Sequence, residues 1–186
     1  MMKRLMLCAL AVMLVIPAVG NAVDMTGKYG LGYFSSDAPV GGRIWATPEL
    51  GIDVGIGFES VDIWEGSDKT SATSFWFEIG FPYVVVNTER ANFFVRPGLL
   101  FGQLDDRVYG FGGLDEKWTT MTFSLAPGAE VFFGDHFSLE AGHGIAIDMQ
   151  KYPDDPVYGD RAGESETRIR TFGEGISYLG FHFYFK

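Results

Sequence analysis

Cysteine is almost absent: the 186-residue chain has one, Cys8, and it sits inside an N-terminal apolar stretch. If that stretch is removed, no thiol is left, which excludes a disulfide framework, thiolate metal ligands and a thiol nucleophile. Histidine is scarce too. His136, His143 and His182 have no metal-ligand spacing, so neither a metal nor another cofactor is expected. Lys and Arg number 14 against 24 Asp and Glu, a formal charge of −10 that argues against nucleic acid as a partner, since that role calls for a basic patch. Beyond residue 22 no apolar run approaches the roughly 20 residues of a membrane-spanning helix. Stability must therefore come from burial and backbone pairing.

The first 22 residues read as a secretory signal. Met1-Met2-Lys3-Arg4 is a basic start, Leu5 to Val19 is apolar apart from Pro17, and Gly20-Asn21-Ala22 fits the small-x-small rule for cleavage. Leu7 before Cys8 is not the small residue that a lipid-attachment site needs. Two regions result, a signal peptide at 1–22 and one domain at 23–186. Loss of Lys3 and Arg4 takes the mature charge to −12.

What the chain does contain is glycine, 25 residues, and aromatics, 16% of the sequence including 17 Phe, within a 47% hydrophobic composition. The apolar residues are interleaved rather than clustered. Eight segments alternate with a period of two: Gly27 to Phe34, Val40 to Ala46, Leu50 to Val61, Ala72 to Val86, one beginning after Arg90, Trp118 to Phe133, His136 to Asp148, and Ile169 to Phe185. In the third, Leu50, Ile52, Val54, Ile56 and Phe58 form one face, while Gly51, Asp53, Gly55, Gly57 and Glu59 form the other. Short turns after segments two, four and six alternate with longer connections after one, three, five and seven. That predicts an all-β fold, an eight-stranded antiparallel transmembrane β-barrel with its short turns at the periplasmic end. Pro82, Pro97 and Pro127 predict bulges or ladder breaks, because proline donates no ladder hydrogen bond.

The closing residues Tyr178, Gly180, Phe183 and Phe185 match the C-terminal pattern of outer-membrane barrels, with Lys186 as a departure from the usual final aromatic. Together with Gly42-Arg43-Ile44-Trp45 and the run Leu50 to Phe58, they make the mature chain resemble the small OmpA, OmpX and OmpW-like barrels of Gram-negative bacteria. The resemblance is to the barrel alone, without a cell-wall anchor. It implies a porin-like cell-envelope protein in the outer membrane, with lipid and lipopolysaccharide around it. It also implies a monomer, and that Tyr178, Gly180, Phe183 and Phe185 are the signal read by the barrel-assembly machinery.

An eight-stranded barrel has an interior that side chains can fill. Parity places Lys28, Arg43, Asp53, Glu59, Glu78, Arg96, Glu130, Glu140 and Glu174 inside, with Arg96 between Glu78 on strand four and Glu130 on strand six. Ion pairing is expected there, since unpaired buried charge is costly, and His182 in the closing strand reads as a lumen filler rather than a ligand. The expected function is structural or surface-interacting, without catalysis. The alternatives are a narrow channel or conduit for small hydrophobic molecules, a lipid-modifying enzyme, and a soluble lipocalin-like barrel with the Leu50-to-Phe58 face turned inward. For the enzyme, His136, Ser138 and Glu140 have the residue types of a hydrolytic triad, but they sit at the periplasmic end and face away from lipid.

Overall fold

The computed structural model describes residues 24–65, 68–109, 117–154, 162–171 and 177–185. The signal segment and Glu174 lie outside them. Among the described residues eleven strands form: β1 (Tyr29–Tyr33), β2 (Val40–Trp45), β3 (Gly51–Glu65), β4 (Asp68–Gly80), β5 (Tyr83–Asn87), β6 (Ala91–Asp105), β7 (Lys117–Phe132), β8 (Phe137–His143), β9 (Ile145–Lys151), β10 (Ser165–Arg170) and β11 (Ser177–Phe185). A single helical turn, α1 (Asp106–Tyr109), follows β6. No described helix is long and apolar enough to cross a membrane.

The strands make eight barrel staves. β4 with β5 pairs along β6, β8 with β9 pairs along β7, and β10 with β11 completes the last stave. All pairings are antiparallel, and β11 returns to β1, from Tyr29 opposite Phe185 to Tyr33 opposite Phe181. The sheet is thereby closed and has no barrel edge.

The breaks explain the prolines. Pro82 interrupts the fourth stave between β4 and β5, as expected. Pro97 and Pro127, by contrast, lie within the continuous strands β6 and β7. Each sits beside a gap in its neighbour. β6 pairs with β4 up to Gly98 and with β5 from Val95, and the Pro97 carbonyl accepts from Phe81 N at 2.9 Å. The nitrogen of a strand residue points the same way as its carbonyl, so the missing N–H of Pro97 faces the break in the fourth stave. Pro127 likewise falls between the β9 pairing at Leu125 and the β8 pairing at Gly128, next to the break at Gly144.

A second departure concerns the third connection. A long loop is expected between Val61 and Ala72, but β3 and β4 continue the ladder out to the Glu65 and Asp68 pair. Polar residues there favour cross-strand pairs over a loop. Lys69 Nζ lies 2.8 Å from Asp62, and the Ser71 hydroxyl donates to the same carboxylate at 2.9 Å. These bonds hold the Asp62 carboxyl below the usual carboxylate range.

Burial follows the predicted alternation and gives it a direction. Val54, Ile56 and Phe58 point outward while Asp53 is 1% exposed, so the apolar face is outside and the acidic face inside. Phe75, Phe77, Phe93, Phe101, Phe123, Leu125, Ile145, Leu179 and Phe183 extend the exposed apolar surface around the other staves. A lipocalin-like arrangement requires the reverse.

The seam between the first and last strands depends on glycine. A Cβ on Gly32 would overlap the Phe181 carbonyl oxygen, a backbone atom with no rotamer to change. Gly32→Ala is therefore expected to lower stability by about 1–3 kcal/mol, the usual cost of overpacking. A midpoint in denaturant unfolding equal to that of the unmodified chain would refute the tight seam.

Candidate functional site in the barrel interior

Three layers fill the interior. At the end carrying the chain's Met25 and the β7–β8 turn, Met25, Trp45, Val84, Phe94 and Phe132 pack with Tyr184 into an apolar plug. Trp45 Nε1 donates to the Tyr184 hydroxyl at 3.3 Å, and that hydroxyl donates to Glu130 Oε1 at 2.7 Å. The plug is thus tied to the charged layer above it.

Arg43 on β2 is the centre of that layer. Its Nε and Nη2 grip the two Asp53 oxygens at 2.5 and 2.9 Å across the β2–β3 pair, where the residues are directly opposite. Its Nη1 reaches across the lumen to Glu130 at 3.1 Å and to Glu140. Phe34 and Trp45 flank the guanidinium, 5.7 and 5.6 Å from its carbon to the ring centres, within cation–π range. Arg96 on β6 shares Asp53, donating from Nε at 2.7 Å, and pairs with Glu78 at 2.7 Å. The Ser35 hydroxyl completes Glu78 at 2.7 Å.

Six of the nine charged side chains that parity places inside, Arg43, Asp53, Glu78, Arg96, Glu130 and Glu140, are buried, but their partners differ from expectation. Arg96 does not bridge Glu78 and Glu130. Glu130 is taken by Arg43, and Asp53 is the carboxylate that the two guanidiniums share. Glu59 shares the inward parity of Asp53 and pairs across from buried Ser74, but its side chain is exposed, beyond the charged layer. Lys28 lies below the charged layer, around a hollow shared with Asp24, Asp135 and His136.

His182 lies inside, as expected of a lumen filler, and it also joins the charged layer. It is 1% exposed, with Nδ1 3.3 Å from Glu130 Oε1 and 3.9 Å from Glu140 Oε2. Glu130, Glu140 and His182 therefore bring three ligand-type atoms within 4.8 Å of one another. Arg43 Nη1 already bridges the two carboxylates, so the place a cation would take is filled by a guanidinium. Of the residues with triad chemistry, His136 Nδ1 is bonded to the Tyr184 carbonyl at 3.0 Å, and the Ser138 hydroxyl donates to Glu130 at 2.6 Å. His136, Ser138 and Glu140 thus form no relay.

Of the C-terminal pattern, Phe183 and Phe185 project outward, whereas Tyr178 turns inward beneath the Arg96 guanidinium, 5.6 Å from carbon to ring centre. Gly180 faces inward, against the Tyr33 carbonyl. Beyond the charged layer the lumen widens into a cup ringed by β4, β6, β7, β9 and β10.

The architecture defines a closed eight-stranded antiparallel barrel with a plugged, ion-paired interior. No family model, curated protein or solved structure matches the chain.

Proposed function

We propose that the chain is an integral outer-membrane β-barrel with a structural or surface-interaction role and no catalysis. The observation that carries this reading is the inverted distribution of side chains. Rows of Phe, Leu, Ile and Val stand exposed around a closed cylinder, while arginines, aspartate and glutamates are buried inside it. In water that arrangement leaves large apolar patches exposed, whereas a bilayer covers them. In the same reading residues 1–22 export the chain, the closing strand is recognised by the barrel-assembly machinery, and the monomer is surrounded by lipid and lipopolysaccharide.

Fractionation tests this directly. The protein is expected in the outer-membrane fraction, with a faster gel mobility when unboiled than when boiled. Recovery in the soluble fraction without a heat-dependent shift would sink the membrane reading.

The interior charges also suggest a narrow channel, and Arg96→Ala separates the two roles. The plug below Arg96 and the Arg43 cluster beside it fill the section, so the variant is expected to lose heat stability without gaining conductance in planar bilayers. Reproducible single-channel steps altered by the substitution would favour the channel.

A further inference from the structure

The cup above the charged layer has a volume of about 250 Å3, room for about eight waters. It is closed below by the guanidinium–carboxylate layer and the apolar plug, so whatever enters by the mouth must leave by it. That is the shape of a binding site rather than a passage.

Its two sides differ chemically. Trp76 on β4, Leu100 and Leu104 on β6, and Trp118 on β7 form an apolar wall. Next to it, β9, which pairs with β7, and β10 supply Asp148, Gln150, Glu166, Arg168 and Arg170. These polar groups are held in place. Arg170 grips Asp148 with Nε and, at 2.8 Å, with Nη2, while Thr122 donates to Asp148 at 2.7 Å. Arg168 Nη2 lies 3.2 Å from Glu166. Trp118 stacks on Tyr152 at 6.0 Å and 20°, and the Tyr152 hydroxyl donates to Glu166 at 3.0 Å, so the indole is fixed relative to the polar wall.

We propose that the cup binds a neutral saccharide ring, with its C–H face on the indoles and its hydroxyl edge on the Asp148–Arg170 and Gln150 side. Adjacent carboxylate and guanidinium groups offer an acceptor beside a donor, the pair that neighbouring hydroxyls on a pyranose require. An aromatic wall suits the apolar ring face. Other ligand classes fit less well. With Asp37, the lining carries three carboxylates against two guanidiniums, so an anion finds no net attraction. An alkyl chain would bury the polar wall without replacing its hydrogen bonds to water. The volume lies just under the roughly 300–1,000 Å3 of drug-sized sites, matching a single sugar ring.

The proposal rests on the surface-interaction reading only for the side of the membrane on which the cup opens. It is tested on the purified full-length barrel in phosphatidylcholine nanodiscs, so its failure is distinct from a failure of fractionation. Maltose, lactose and a neutral O-antigen oligosaccharide released from lipopolysaccharide are titrated separately by calorimetry and tryptophan emission. Saturable binding of at least one is expected, and the tighter arm identifies a free sugar or a surface glycan as the source. Trp118→Ala and Asp148→Asn should each weaken binding about tenfold or more, since a site built around hydrogen bonds and stacking loses both when a partner is removed. Leu104→Trp narrows the cup while leaving every polar partner, and should weaken binding with the heat-shifted gel band retained. Trp64→Ala, on the outer hairpin, should change nothing. Absence of binding by all three sugars, binding indifferent to Leu104→Trp, or tighter binding of glucose 6-phosphate or an alkyl detergent would overturn the assignment.

Discussion

Arg43→Leu is expected to destabilise the barrel by about 3–5 kcal/mol, the cost of breaking a buried ion pair from one side. The reason lies in what the guanidinium leaves behind. Glu130 retains the Ser138 and Tyr184 hydroxyls at 2.6 and 2.7 Å, and Asp53 retains Arg96 Nε at 2.7 Å. Glu140 fares worst, because Arg43 is its one hydrogen-bond donor among the contacts described, and its side chain is only 2% exposed. Glu140→Gln in the Arg43→Leu background should therefore recover part of the loss, since a neutral amide is cheaper to bury than an unpaired carboxylate. Arg43→Lys should fall between, keeping the charge but losing the two-pronged grip on Asp53. Denaturant unfolding of the purified protein reads all three. A loss below about 1 kcal/mol, or an equal loss with and without Glu140→Gln, would show that Arg43 does not hold the interior together.

The same cluster shows how far the sequence can be read. The strands were legible because each stave alternates over its length, and the inward set followed because glycine and carboxylates share one parity in Leu50 to Phe58. Partner choice was not legible. Arg43 meets Glu130 and Glu140 across separations of 87 and 97 residues, and which charges meet across a lumen depends on the stagger of all eight staves. Adjacent staves suggested Arg96 between Glu78 and Glu130; stagger and reach across the lumen gave Glu130 to Arg43 instead. His182 was legible as a filler of the lumen but not as a member of the cluster, since it joins two carboxylates from β7 and β8 only when β11 closes on β8. The polar stretch 62–71 read as a loop because its cross-strand pairs, Asp62 with Ser71 among them, show only once the hairpin register is known. The prolines did mark ladder breaks, but only Pro82 breaks its own strand; Pro97 and Pro127 stay within continuous strands because the adjacent stave is the one interrupted, a fact about the neighbour and not the residue.

Phe123→Arg is expected to cost about 2–4 kcal/mol in lipid, the penalty for a cationic side chain near the midplane on the lipid face of a barrel. Phe123 lies near the middle of β7, between Leu99 of β6 and Ile147 of β9, within the broad outward apolar surface. It is 45% exposed, so the folded barrel has room for the longer side chain and no core packing is lost. The two environments then give opposite results. If water surrounds the barrel, the substitution removes an exposed apolar group and should lie within about 0.5 kcal/mol of the unmodified chain. If acyl chains surround it, the guanidinium must either be desolvated or draw water into the bilayer. Placing arginine instead at Phe133, 58% exposed in the turn that directly follows β7, supplies the internal comparison. Nearer the interface the same charge should cost about 0–1 kcal/mol. Equal, small effects at both positions, measured by urea unfolding in phosphatidylcholine bilayers, would mean that the apolar surface does not face lipid, and the outer-membrane reading would fall with it.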